Sequence, residues 1–204
     1  MDRGEFLGAI AAVVASPLPS PTSIPKWDEC TTSAALPYNR PIELKMQVLD
    51  GPQFDLLEYR GQAVLLHIFA TWCGPCNKEM PNVVEAAADY ASHGLAVIAI
   101  DSREEDDVVR KFRKRYGITF PIAMDRYGGF VPALEVGRTN DNAVLPVTLF
   151  IDPRGYLYCD LVGIAGRGEL RYRIERFLAA ASAAGEIKVP SSPSPAGAPP
   201  DGYR

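Results

Sequence analysis

The chain has 204 residues, of which 47% are hydrophobic and 23% charged, with a formal net charge of −4. These values exclude a wholly disordered chain, a collagen-like chain and a multi-span membrane protein, and the acidic balance argues against nucleic acid as the main partner. Four cysteines are too few for a disulfide scaffold, and the two histidines, His67 and His93, leave little material for a multi-ligand zinc site.

Residues 6–15 read FLGAIAAVVA, an uncharged run behind Arg3. The run is too short to cross a bilayer, which takes about 20 residues. A charged start, an apolar middle and small residues before a proline-rich stretch give residues 1–15 the layout of a secretory signal. That layout implies a periplasmic or otherwise extracytoplasmic protein, with a cytosolic protein beginning on an amphiphilic turn as the alternative. Residues 16–41 carry Pro17, Pro19, Pro21, Pro25, Pro37 and Pro41 and read as an extended linker. Residues 185–204 are rich in Pro, Ala and Ser and read as a disordered tail. The remainder, 42–184, is long enough for one domain with its own core.

Within that domain, Gln47–Asp50, a Gly51-Pro52 turn and Phe54–Leu57 form a hairpin pattern. Ala63–Phe69 (AVLLHIF) is a nearly continuous apolar run, as in a strand buried on both faces. From Gly74 to Ala91 the apolar positions Cys76, Met80, Val83, Val84 and Ala87 have helical spacing, with a kink expected at Pro81. Leu95–Ile100 is a second buried strand. Ser102 and Glu105 then fit a capping box for a helix that ends near Tyr116-Gly117. The acidic start and basic end of that helix suit its dipole. Phe120–Met124, Val147–Ile151 and Tyr156–Val162 read as strands, the last two antiparallel across the Asp152–Gly155 turn, and an apolar stripe Leu170, Ile174, Phe177, Leu178 marks a final helix. Strands alternating with helices, closed by a hairpin, predict an α/β fold with a mixed central sheet flanked by helices and an N-terminal β-hairpin.

The chemistry concentrates at Cys73 and Cys76, between the first buried strand and the helix that follows. A cysteine at a helix start meets unpaired N–H groups that favour thiolate over thiol. The second cysteine, within one turn, can close a disulfide or resolve a mixed one. The helix pattern buries Cys76 and leaves Cys73 at the surface. A half zinc site lacks a second pair, haem attachment is excluded because Asn77 follows Cys76, and a staple across so short a loop adds little stability.

The segment A-T-W-C-G-P-C-N-K-E-M-P resembles the active site of thioredoxin-fold proteins. Its W-C-x-x-C-x-x-E-x-P pattern resembles the TlpA/ResA-type extracytoplasmic thiol–disulfide oxidoreductases, with Glu79 and Pro81 at the matching positions. The likeness extends over about 47–178. It implies a thioredoxin-like three-layer fold and a protein-disulfide reductase activity carried by Cys73 and Cys76. The substrate would be a protein disulfide or thiol, and a membrane-bound electron donor would restore the dithiol. No cofactor beyond the Cys73–Cys76 pair and no metal is implied, and the protein is expected to be a monomer. It further implies a cis Leu145-Pro146 bond opposite the cysteines, with Trp72, Gly74, Pro75, Leu145 and Pro146 forming the substrate-binding surface. Members devoted to cytochrome c maturation tend to carry an acidic residue after that proline, whereas Val147 stands here.

Two residues admit two readings each. Glu79, the family's acidic residue, is either a proton shuttle for the sulfurs or a solvated helix glutamate. His67 stands where thioredoxins have a buried acid, and is either a proton acceptor for Cys76 with an intrinsic pKa near 6.5 or a packed core histidine. Cys30 and Cys159 are candidates for a structural disulfide, with two unpaired thiols as the alternative. Two other functions remain open. A peroxiredoxin-like thiol peroxidase would need a P-x-x-x-T-x-x-C arrangement that is missing before Cys73, and a non-enzymatic module would only sense redox state.

Overall fold

The computed structural model describes residues 40–130 and 144–183, together with the backbone of 138–139 and 142–143. The expectations for a signal at 1–15, for most of the 16–41 linker, for Cys30 and for the tail fall outside the described residues. Among the described residues no helix is long and apolar enough to cross a membrane.

All seven residues of β3 (Ala63–Phe69) are buried. A strand with no polar face must be covered above, below and on both edges. β4 (Leu95–Ser102) pairs with it in parallel on one edge, and β8 (Val147–Ile151) pairs antiparallel on the other. β5 (Ile122–Asp125) and β9 (Leu157–Val162) complete a mixed sheet of order β5-β4-β3-β8-β9. Alternate residues of β3 enter two separate cores. Ala63, Leu65 and Phe69 face α1 (Gly74–Tyr90), α2 (Asp106–Tyr116) and α3 (Arg167–Ala183). Val64, Leu66 and Ile68 face Leu44, Phe54, Leu56 and Tyr59 of the N-terminal segment. The expected α/β class and mixed sheet are therefore present. One outer layer holds the three helices, and the other, among the described residues, is built largely by the hairpin and a 3-10 turn at Leu56–Tyr59.

That hairpin is shorter than its sequence pattern. β1 (Lys45–Gln47) pairs with β2 (Gln53–Asp55), and the chain then turns because the Asp55 carboxylate accepts from the Leu57 N–H. Val48 and Leu49 instead extend the central sheet at its edge, where Leu49 N–H donates to the Ile122 carbonyl at 2.8 Å. A second small hairpin, β6 (Arg138–Thr139) with β7 (Asn142–Ala143), lies between β5 and β8 in the chain.

The capping box expected before α2 does not form. Ser102 is the last residue of β4, paired with Asp125, so Glu105 becomes the N-cap without a side-chain hydrogen bond. α2 ends as its sequence predicts, with Gly117 at φ 63 returning its N–H to Arg113. Its charges are used locally: Arg110 pairs with Asp50 and Asp106, and Lys111 with Asp107. α1 runs through Pro81 and packs on α3, tied by Tyr90 O–H to Glu175 and by the pairs Arg167–Glu85 and Arg171–Asp89.

Leu66 sits at the middle of β3, fully buried between the sheet and the N-terminal layer. Leu66→Ala is expected to cost about 2–5 kcal/mol, the range for a leucine cavity in a close-packed core, measured by urea unfolding of the oxidised protein. Trp72→Ala, at a side chain 71% exposed, is expected to cost far less.

Candidate active site

β3 delivers the chain to Ala70 and Thr71, and α1 begins three residues later. Cys73 is the N-cap of α1, with an extended backbone (φ −76, ψ 110), and its Sγ accepts from the Cys76 N–H at 3.2 Å. The sulfur thus occupies the position where a helix start offers unpaired donors. Pro75 falls in the first turn, where its missing N–H costs no helical bond. Cys73 and Cys76 are joined as a disulfide. Cys76 is fully buried, as its helix face predicts. Cys73 is only 5% exposed, so the expectation that it lies at the surface needs correcting. Its sulfur is tucked between the first turn of α1 and the Leu145 carbonyl, 3.6 Å away. The exposed members of the motif are Trp72, Gly74 and Pro75.

The Leu145-Pro146 bond is cis, as the family likeness implies. The Pro146 carbonyl accepts from Gly163 N–H at 2.8 Å, which ties the loop beside Cys73 to the end of β9. Gly163 has φ 93, a backbone that a side chain would strain. The turn there leads to Ala165, whose N–H donates to Glu79 Oε1 at 3.0 Å.

Glu79 lies one helical turn beyond Cys76, on the same face of α1. It is fully buried, which overturns the solvated reading. Its Oε2 has no hydrogen-bond partner. Desolvation pushes its pKa up to about 7, opposed by the Ala165 hydrogen bond and assisted by Glu169. The carboxyl is therefore poised to gain or lose a proton near neutral pH.

His67 is also fully buried, with Nδ1 3.0 Å from Thr148 Oγ1 and Nε2 without a partner. Thr148 is its direct neighbour across the β3–β8 pair. Desolvation lowers the imidazole's pKa to about 4. The expected intrinsic value near 6.5 does not survive burial, so the ring is neutral at physiological pH and a poor resting place for a proton.

Cys159, on β9, is buried and disulfide-bonded, whereas Cys30 lies outside the described residues.

The structure also assembles residues that the motif did not announce. Asn77 Nδ2 donates to the Thr71 and Cys73 carbonyls, both at 2.8 Å, and its Oδ1 accepts from Tyr116 O–H at 2.9 Å. Glu104 accepts from both the N–H and the hydroxyl of Thr71. Nothing local in the sequence signals Asn77. Glu104 stands in the acidic run before α2, where its charge reads as a response to the helix dipole.

A family model described as "AhpC/TSA family" matches residues 39–158, more than half of the chain. The chain belongs to the AhpC/TSA family. It is 32% identical over 128 residues to the thiol-disulfide oxidoreductase ResA of Bacillus thuringiensis subsp. konkukian, which covers 63% of this chain and 70% of that protein. ResA of Geobacillus thermodenitrificans is 34% identical over 127 residues, covering 62% and 70%. Among solved structures, a thiol:disulfide interchange protein of the thioredoxin family from Chlorobium tepidum superposes with a TM-score of 0.60 at 25% identity, covering 68% of this chain and 97% of that one. The thioredoxin-like architecture expected from W-C-G-P-C is thereby shown.

Glu79 generates a stability prediction with a definite sign. Its folded pKa, about 7, lies above the ordinary 4.5, so between those pH values the folded chain holds a proton that the unfolded chain has released. Stability from this group is lost as pH rises through the window. Glu79→Gln removes the titration, so its Tm relative to wild type is expected to rise between pH 5 and pH 8 in calorimetry of the oxidised protein. A mutant that loses ground over that interval contradicts the assignment.

Proposed function

We infer that the chain is a thiol–disulfide oxidoreductase, working outside the cytoplasm in the reducing direction. The observation that carries this reading is the Cys73–Cys76 disulfide at the N-terminus of α1, facing the cis Leu145-Pro146 loop. In the reduced protein, the Cys73 thiolate attacks one sulfur of a protein disulfide. A mixed disulfide forms and the other substrate sulfur leaves as a thiolate. Cys76 then gives up its proton, attacks the Cys73 sulfur and releases the second substrate thiol. Two electrons pass to the substrate and the Cys73–Cys76 bond is restored.

Burial makes Cys76 the harder thiol to ionise. Glu79, on the same helix face and with a pKa near neutrality, takes that proton and returns it when the pair is reduced again. His67 is the weaker acceptor because its ring holds a proton only below about pH 4. The exposed Trp72, Gly74 and Pro75, with half-buried Leu145 across the sulfur, form the surface that receives the substrate, and the buried Pro146 fixes the backbone there through its cis bond. A membrane-bound donor re-reduces the pair by the same exchange run backwards. The residues 1–15 pattern supports export, as do relatives named ResA.

Disulfide reduction with insulin as substrate and dithiothreitol as donor is expected to require both Cys73 and Cys76. Cys76→Ser should accumulate a mixed disulfide on Cys73, seen as a mass increase that thiols reverse. Glu79→Gln should slow the release step by about tenfold or more while leaving attack by Cys73 largely intact. Turnover of peroxide without turnover of disulfides would instead favour a peroxidase.

We also propose Cys30 as the partner of Cys159. Closing so long a loop is worth about 4–5 kcal/mol in the chain-entropy account. Non-reducing peptide mapping after air oxidation should recover a Cys30–Cys159 peptide, and a free Cys30 thiol would end the idea.

A further inference from the structure

Between β3 and Cys73 the chain passes through Thr71, whose three hydrogen-bonding groups are all engaged. Its carbonyl accepts from Asn77 at 2.8 Å, and its N–H and hydroxyl donate to the two oxygens of Glu104. Glu104 reaches Thr71 from the turn between β4 and α2, and that turn is itself restrained. Arg103 occupies the left-handed region, at φ 67, and its N–H donates to the Asp125 carbonyl at 3.0 Å. The Arg103 guanidinium lies over Gly128, where an added Cβ would come within 1.7 Å of its Nε. The carboxylate of Asp125 meanwhile holds Gly129 and Phe130 N–H. A non-glycine residue in this conformation persists only where its surroundings over-determine it, and such positions gather near functional sites.

Resting on the dithiol reading, we propose that Glu104 is a positioning residue of the reaction. By gripping Thr71 it fixes the backbone that sets Cys73 as the N-cap of α1, and so sets how strongly the helix start stabilises the Cys73 thiolate. Asp101 is the foundation beneath it. This carboxyl is fully buried on β4, with Oδ2 accepting the Glu104 N–H at 3.2 Å and Oδ1 unpartnered. Desolvation and the Glu104 carboxylate push the Asp101 pKa up to about 8, with Asp125 adding to the rise. Burial and the neighbouring carboxylate thus favour the protonated form of Asp101, which limits the negative charge placed beneath the active-site loop.

The experiment reads Cys73 alone, in a Cys76→Ser background, by its alkylation rate with iodoacetamide across pH 5–10. Glu104→Gln replaces one oxygen by an amide that cannot accept from Thr71, and Thr71→Val removes the hydroxyl donor while changing no charge. Both are expected to raise the apparent Cys73 pKa and to slow alkylation at pH 7 by about three- to tenfold, because the thiolate loses helix-start stabilisation. The sign is diagnostic. Deleting the Glu104 charge without any effect on geometry would lower the Cys73 pKa. A lowered value in Glu104→Gln with an unchanged one in Thr71→Val therefore overturns the proposal, as do wild-type profiles in both. If Glu104→Gln fails to fold, Thr71→Val, which is nearly isosteric, decides alone. Insulin reduction by wild type is a separate readout: failure there defeats the oxidoreductase reading without touching the thiol titration.

Discussion

The site depends on one constraint, which is that a strand with no exposed face must release its chain into a helix at the surface. All of β3 is buried, and past Phe69 the chain leaves the sheet ladder through buried Ala70 and half-buried Thr71 before Trp72 reaches the surface. Side chains take over where the ladder ends. Asn77 and Glu104 satisfy Thr71, and Asn77 also binds the Cys73 carbonyl. Those bonds prevent an unpaired-amide cost of about 1–3 kcal/mol per group. They also hold the sulfur in place, so one set of contacts terminates the strand and prepares the chemistry.

Burial also alters the acids and bases around the sulfurs. Glu79, Asp101 and His67 each have a fully buried side chain with one polar atom lacking a hydrogen-bond partner. Burial favours the neutral form in every case, raising the two carboxyls and lowering the imidazole. The three consequences differ. His67 becomes a poorer base, Asp101 is driven toward its neutral form beneath the Glu104 turn, and Glu79, on the helix face of Cys76, is raised to about 7. Perturbed groups gathered at one end of a sheet are a mark of a functional site. Here the division of labour comes from how far each group is pushed.

The sequence made the strands, the helices and the two sulfurs legible because those rest on hydrophobic period and local spacing. AVLLHIF could only be a strand covered on both faces, and W-C-G-P-C could only be placed at its end. The departures have tertiary causes. Ser102 fits a capping box until β5 recruits it into the sheet. Phe54–Leu57 fits a strand until Asp55 caps a turn. Glu79 admits both a proton shuttle and a solvated helix glutamate until the turn after β9 covers it with Ala165 and removes the second. Glu104 and Asp101 reach the site from β4 and the turn after it, across a separation that no motif spans, and the Glu104 charge by itself reads as dipole compensation. Asn77 lies inside the motif, but its bonds to Thr71, Cys73 and Tyr116 have no local signature.

Cys73 is both the reacting atom and the N-cap of α1. Each redox state of that sulfur is therefore also a capping state. A thiolate is a strong acceptor for the Cys76 N–H, a disulfide sulfur a weak one, and a sulfur tied to a foreign chain is pulled toward its new partner. The strength of the hydrogen bond that caps the first turn of α1 is thereby tied to the redox state of the pair. A partner protein that distinguishes the reduced from the oxidised form need not sense the sulfurs. It can read the capping bond at the start of α1.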